Sequence, residues 1–403
     1  MLRKNTSMNK PRVCVIFGGR SGEHEVSIVS ATSVMNALDP NKYEVIPVGI
    51  TKSGRWIAGE QATQLLKSGK DAEHSLAMVA PDPNERRLIS SVPAGSDKRE
   101  LQSLEDKIDV VIPILHGTYG EDGTVQGLLE LANLPYVGAG VLGSAICMDK
   151  VVQKNLCLQA GVSVVDFLWL RYEDWQADQK ENFSTAVNPQ QLSNLSRPEM
   201  LNAIEKKLGL PVFVKPANMG SSVGISKAHH RDELVAGVEE AAKYDHKILI
   251  EAAVANPREI EVSVLGNLRP RASVPGEVVP SNEFYDYDAK YVDGASTSYI
   301  PAELPAPLAA AIRQTAINGF VACECEGMAR VDFLLERQAS KFYLNEINTI
   351  PGFTSISMYP KLWEASGLSY TQLLDELIQL AIERHQRRST LYTSYQPKSE
   401  WYK

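Results

Sequence analysis

"FYLNEINTIPGFT", residues 342–354, opens as a strand and closes as a loop. Side chains two apart in a strand share a face. Glu346 and Asn348, on either side of Ile347, therefore point the same way out of an apolar stretch. Just upstream, "ARVDFLLE" (329–336) sets Arg330 and Asp332 in the same relation, and the intervening "RQASK" is short enough for a hairpin. Paired side by side, the two strands gather two carboxylates, an amide and an arginine on one face. Such a face is open to two readings. One is the solvated side of an antiparallel sheet. The other is a hard-cation site: Asp, Glu and Asn oxygens suit magnesium, which keeps waters and takes substrate phosphates as its remaining ligands. A neighbouring arginine would then neutralise a phosphoryl oxygen.

Outward from this hairpin, "VKPANMGSSVGIS" (214–226) has Lys215 at the end of a β run, followed by small residues with accessible backbone N–H groups. Such a loop either approaches phosphate oxygens closely or serves as a plain hairpin turn. It is not the GxxxxGK[ST] signature, which excludes a P-loop NTPase. "RVCVIFGG" (12–19), "YEVIPVGI" (43–50) and "DVVIPILHG" (109–117) read as buried strands, alternating with helical patterns at 25–40 and 124–135. The first third is thus an open α/β domain with a parallel sheet. Ligands on such sheets sit at the carboxyl ends of strands, where the loops carrying Glu23 and His116 fall. A histidine ending a buried strand is as readily structural as functional. "GAGVLG" (138–143) matches G-x-G-x-x-G, but it lies far along the domain rather than opening it; the competing reading is a loop into a helix with Lys150 in its second turn. Residues 59–106 and 171–200 read as polar surface excursions. "DELVAGVEEAAKY" (232–244), a stretch from Ala306 to Cys325 and "YTQLLDELIQLAIERHQRR" (370–388) read as helices.

The net charge of −8 argues against a generally basic nucleic-acid surface. The five cysteines include no CxxC pair, and Cys323-Glu-Cys325 lacks the matching cluster a zinc site needs. A reduced cytosolic protein is the simple reading. No stretch reaches the roughly 18 apolar residues of a membrane helix, and the apolar run after the basic start is too short for a signal sequence. The expected location is the cytoplasm.

Taken in order, "GGRSGEHEVS", "HGTYGEDGTVQGLLE", "GSAICMDK", "VKPANMGSSVGIS", "EFYDYDAKY", "ARVDF" and "NEINTIPGFTSISMYP" resemble the D-alanine–D-alanine ligases of the ATP-grasp superfamily, over about residues 12 to 385. The resemblance implies an N-terminal α/β domain (1–146) followed by a two-part ATP-grasp fold, a central subdomain (147–252) and a C-terminal one (253–403). It implies ATP-dependent joining of two D-alanines through an acyl phosphate, for peptidoglycan, by a homodimer. Carried onto this sequence, Asp332, Glu346 and Asn348 bind two magnesium ions, which manganese can replace. Lys150 and Lys215 contact ATP phosphates, and Glu251 and Glu259 lie near adenine and ribose. Ser221, Ser222 and the adjoining glycines close over ATP. Glu23 holds the ammonium of the first D-alanine, with His116 near its carboxylate. Arg330 and the Gly352 amide stabilise the tetrahedral oxyanion. Ser357 and Met358 receive the carboxylate of the second D-alanine, and Tyr291 bonds Ser221 and Glu23 to shut the site. Lys290-Tyr291 favours the dipeptide over a product made with D-lactate. Ile350 and Ile356 stand where polar residues are common in the family, in or near the second amino-acid pocket.

Overall fold

In a computed structural model of the chain, the all-apolar run Val13–Phe17 is fully buried in the strand Arg12–Gly18, at the heart of the first sheet. The structure describes residues 10–59, 62, 64, 67, 76–93, 99–103, 107–177, 188–279, 297–337 and 340–395. Arg12–Gly18 pairs in parallel with Glu44–Ile50 on one side and Val110–Ile114 on the other, as its continuous hydrophobicity requires. The sheet does not stop there. Trp56–Ala58, Leu76–Val79, Leu88–Pro93 and Arg99–Ser103 extend it in antiparallel order. The stretch 59–106, read from sequence as a peripheral excursion, therefore contributes strands to the main sheet. These strands are short and cut by polar turns, so only a brief alternation such as buried Ala77, exposed Met78, buried Val79 marks them.

The 171–200 stretch is likewise more than surface. Trp175 is fully buried, Gln191–Leu192 pairs in parallel with Phe167–Arg171, and a Ser196/Glu199 capping box starts the helix Arg197–Leu208. These belong to a second sheet, ordered Ser226–Ala228, Val212–Pro216, Lys247–Ala252, Phe167–Arg171, Gln191–Leu192 among the described residues. The helix Arg231–Ala241 packs on it through Leu234 and Val238.

The third sheet carries the hairpin that opened the reading. Thr297–Tyr299, Gly276–Val279, Arg258–Gly266, Gly327–Leu335 and Phe342–Asn348 lie in that order, all antiparallel, with Arg271–Ala272 off the path. The helix Ala306–Ala322 covers its apolar face through Ile312, Ala316 and Phe320. One core cluster joins Val13, Phe17 and Ile114 of the first sheet to Met328, Phe353, Tyr359 and Leu377 of the chain's last quarter. Arg384, buried on the closing helix Tyr370–Ser389, donates to the carbonyls of Gly138 and Tyr136 and pins that helix to the first domain.

"GAGVLG" leads into a helix, with Gly140 as its N-cap residue. Gly143 lies in the helix Val141–Met148, where a Cβ would stand 2.6 Å from the Glu324 carbonyl oxygen, so its small size serves helix packing. That helix ends at Met148. Asp149 then caps a second helix, Lys150–Gln159, its carboxylate accepting from the amides of Val151 and Val152 at 3.1 Å each. Lys150 is thus the first residue of a new helix rather than a second-turn residue of one long helix.

Candidate functional site

The site is built where the three sheets meet, beginning with the hairpin. In the third sheet Arg330 lies opposite Asn348 and Asp332 opposite Glu346, and on the other flank Glu261 lies opposite Asp332. Three carboxylates thus form a row across three adjacent strands. A register shift between Asp332 and Phe333 marks a β-bulge at Asn345. Its effect on parity is decisive. Leu344 and Ile347 are both buried although three residues apart, while Glu346 and Asn348 turn to the opposite face. Without the extra residue, Glu346 would follow Leu344 into the core.

Arg330 lies within this acidic row. Its Nε and Nη2 each donate at 2.7 Å to the two oxygens of Asp332, and its Nε stands 3.1 Å from Glu261 Oε2. Burial opposes its charge, but Asp332 and Glu261 outweigh that and hold its pKa well above the ordinary arginine value. Among the described residues no three His, Cys, Asp or Glu side chains form a ready-made ion cage. Asp332 is engaged by Arg330, and Asn348 Oδ1 accepts from the Ile350 amide at 3.2 Å. Carboxylate and amide oxygens gathered on one face are donors of the kind a hard cation takes beside waters or phosphates.

Beside this face stand the lysines. Lys150 is buried, and its Nζ donates to the Met219 carbonyl at 2.6 Å, gripping the glycine–serine loop. Burial pushes its pKa down, against the pull of Glu346, and Lys215 pushes the same way as burial. Lys215 Nζ lies 2.5 Å from Glu251 Oε2, and Lys154 Nζ lies 2.6 Å from the other oxygen, Oε1. Burial would raise the Glu251 pKa, yet the two lysines bring it down to about 2. Glu251 is therefore first of all the counter-charge of two lysines. Glu259, two residues before Glu261, shares its face at the near end of the Arg258–Gly266 strand.

The loop 218–224 reaches the first domain. Ser221 donates from Oγ to Glu23 Oε1, and a Cβ on Gly220 or Gly117 would stand 3.2 or 3.0 Å from Glu23 Oε2. Ser221 and Ser222 both have positive φ, 51° and 60°, as has Gly224 at 71°. Consecutive left-handed residues other than glycine are uncommon and cluster at functional sites. Glu23 precedes the helix His24–Ala37 as its cap residue. Tyr291, expected to complete this contact, lies outside the described residues, as do Lys290 and the rest of 280–296.

His116 is buried at the end of the Val110–Ile114 strand, next to the Thr349–Phe353 loop. Its Nδ1 pairs with the Ile350 carbonyl at 3.0 Å and its Nε2 with Ser30 Oγ at 3.1 Å. Burial works against its positive charge, but Glu121, 3.6 Å away, and Glu23 prevail and raise its pKa. Both ring nitrogens are thus taken up by the protein, and the ring ties the Val110–Ile114 strand end to the 349–353 loop through the Ile350 carbonyl. Ile350 is a core residue and Ile356 is exposed, so only the latter stands at a surface. Gly352 faces Ser357: a Cβ there would lie 2.7 Å from Ser357 Oγ. Ser357 caps the helix Met358–Ala365 and its Oγ accepts from the Thr354 amide at 3.0 Å, leaving the start of that helix as a place for an anionic group.

The sequence reading missed Glu261 and Lys154. Both had a signal: Glu261 follows Glu259 by two in a strand, and Lys154 follows Lys150 by four on a helix. Cys147 and Cys325 stand 3.4 Å apart, sulfur to sulfur, in the same apolar core as Cys157 and Cys323, and burial is the main force raising the Cys14 thiol to about 12.

Residues 12–139 match the family model described as D-ala D-ala ligase N-terminus, and residues 156–379 match D-ala D-ala ligase C-terminus. The chain is 50% identical over 384 residues to the D-alanine–D-alanine ligase of Chloroherpeton thalassium, covering 94% of this chain and 99% of that one. It is 46% identical over 389 residues to that of Natranaerobius thermophilus, covering 96% and 99%. Among solved structures, the D-alanine-D-alanine ligase from Coxiella burnetii aligns with a TM-score of 0.72 at 38% identity, over 94% of this chain and 96% of that one. The VanG D-Ala:D-Ser ligase from Enterococcus faecalis aligns with a TM-score of 0.75 at 33% identity, over 92% and 99%. The three-sheet arrangement is the ATP-grasp fold, and the chain belongs to the D-alanine–D-alanine ligase family.

Proposed function

We propose that this enzyme joins two D-alanines to D-alanyl-D-alanine with cleavage of ATP to ADP and phosphate, for peptidoglycan synthesis. The observation that carries the reading is the meeting of a carboxylate row with two lysines and a glycine–serine loop: Lys150 holds the Met219 carbonyl and is electrostatically coupled to Glu346 and Lys215. A carboxylate attacking a triphosphate faces like-charge repulsion, and positioning plus positive charge is what the chemistry asks for.

In this reading Glu23 receives the ammonium of the first D-alanine, and the charge on His116 favours its carboxylate. Lys150 and Lys215 draw the ATP phosphates toward that carboxylate, with Glu251 presenting Lys215 and Glu259 facing the ribose. Asp332, Glu346 and Asn348 would hold two magnesium ions, or manganese in their place, which neutralise phosphate charge and orient the terminal phosphoryl group. The carboxylate oxygen attacks the γ-phosphorus and ADP leaves. The amine of the second D-alanine, having lost its proton, then attacks the acyl carbon and phosphate leaves. Its own carboxylate rests at the start of the Met358–Ala365 helix, on Ser357 and Met358. Arg330 and the Gly352 amide face the negative oxygen that develops between attack and collapse. Ser221, Ser222 and Tyr291 cover the acyl phosphate, which water would otherwise hydrolyse.

The working division is an N-terminal domain (1–146), a central subdomain (147–252) and a C-terminal subdomain (253–403). The enzyme acts in the cytoplasm as a homodimer; among the described residues no helix is long and apolar enough to cross a membrane. Incubation with ATP and D-alanine, followed by product identification, tests the reading. D-alanyl-D-alanine and phosphate in equal amounts are expected. Parallel arms with D-serine or D-lactate as acceptor overturn the acceptor assignment if either gives the faster reaction.

A further inference from the structure

Lys154 is only 1% exposed, deeper than either lysine assigned to phosphate. A buried lysine is costly unless it is paired. Here one ammonium serves two acceptors on different sheets. It lies 2.6 Å from Glu251 Oε1 on the Lys247–Ala252 strand, and it donates at 3.2 Å to the carbonyl of Asn345, the bulge residue of Phe342–Asn348. The next residue back on its helix, Gln153, reaches the Ile347 carbonyl at 3.5 Å. Two adjacent side chains of the helix Lys150–Gln159 therefore hold the bulged strand by its carbonyls.

Each acceptor controls something else. Glu251 holds Lys215 with its second oxygen, at 2.5 Å. The bulge decides which way Glu346 and Asn348 face, because it breaks the alternation after Leu344. A bulge leaves a backbone group out of the ladder, and a buried carbonyl without a donor is unfavourable. We propose that Lys154 is a positioning residue that sets the phosphate lysine Lys215, through Glu251, and the metal-facing pair Glu346 and Asn348, through the Asn345 carbonyl. The proposal rests on the metal role assigned to that face under Proposed function.

The test is Mn2+ binding to the enzyme–ADP complex, followed by electron paramagnetic resonance, alongside KM for ATP and kcat. Lys154→Met is expected to weaken Mn2+ binding by roughly 10- to 100-fold, the usual range for residues that orient metal ligands, and to raise KM for ATP. Glu251→Gln is expected to raise KM for ATP, with a loss of Mn2+ affinity smaller than that of Lys154→Met. A purely structural role for Lys154 would lower thermal stability without this split. Where Lys154→Met does not fold, Lys154→Arg, which keeps the charge and displaces it, is expected to weaken Mn2+ binding in the same direction. Parental Mn2+ affinity in whichever variant folds overturns the proposal. Asp332→Asn separates the two levels of the reading. If it weakens Mn2+ binding and the Lys154 variants do not, the positioning role alone fails. If Asp332→Asn leaves Mn2+ binding unchanged, the metal face and the Lys154 proposal fall together.

Discussion

Replacing Glu251 by Gln keeps size and shape but removes a buried charge that two lysines share. Its magnitude follows by two routes. A shift from the ordinary glutamate value of 4.5 to about 2 corresponds, at 1.36 kcal/mol per unit, to about 3 kcal/mol of stabilisation. Independently, breaking a buried ion pair by removing one partner costs about 3–5 kcal/mol, because the other charge is left without compensation. That other charge is chiefly Lys154, which is 1% exposed. The sign with pH is fixed by the direction of the shift. A carboxylate with depressed pKa adds stability that is fully present above the unfolded value near 4.5 and is lost as pH falls toward about 2. Denaturant unfolding of parent and Glu251→Gln at neutral pH should show a gap of about 3 kcal/mol, and the gap should close through that acid window. The double variant Glu251→Gln/Lys154→Met should be less destabilised than the sum of the singles, since no charge is then left stranded. A single-variant effect within about 0.5 kcal/mol, the span of an ordinary surface substitution, would refute the shared-counter-charge reasoning.

Ser221→Ala removes the hydroxyl that meets Glu23; a lost hydrogen bond to a charged group is worth about 1.5–3 kcal/mol, so kcat/KM for D-alanine should fall by roughly 10- to 150-fold, and an unchanged value counts against loop closure through this contact. Gly352→Ala keeps the backbone N–H but places a methyl 2.7 Å from Ser357 Oγ; steady-state kinetics should show kcat/KM for D-alanine lower by roughly 100-fold, as for a misplacement of about 1 Å of a positioning group, with a melting temperature close to the parent's. Glu261→Gln should lower kcat by roughly tenfold or more through looser placement of Arg330, and parental kcat would show that Asp332 alone suffices to hold the guanidinium.

Much of this architecture is legible in the sequence for one physical reason: runs that bury both faces of a parallel strand admit almost nothing but apolar residues. Val13–Phe17 and Val110–Ile114 announce themselves in this way. The strands at 76–79 and 88–93 do not, because a strand of only four to six residues cut off by polar turns is indistinguishable from a polar loop with a few apolar residues. The break at Asp149 falls between two stretches of helical spacing, and what fixes it is partly tertiary: besides capping the next helix, its carboxylate is held by Lys247 Nζ at 2.8 Å. Pair contacts such as Glu23 with Ser221 join residues 198 positions apart and have no local signature.

The hairpin face itself shows where local reading ends. Glu346 and Asn348 were placed together by their spacing of two, which is correct. Leu344 and Ile347 are both apolar and three apart, which a regular strand cannot reconcile with one buried face. That clash of parity is the sequence signal of a bulge, and no glycine or proline accompanies it in "FYLNEIN". The signal says that one residue must be extra, but not which one, nor what will satisfy its carbonyl. The structure answers both with Asn345 and an ammonium 191 positions away. The strand that bears Glu346 and Asn348 is thus held from outside as well, by Gln153 and Lys154 of the Lys150–Gln159 helix on the Ile347 and Asn345 carbonyls. A substitution at Lys154 that leaves Asp332, Glu346 and Asn348 in place should still alter how Glu346 and Asn348 are presented.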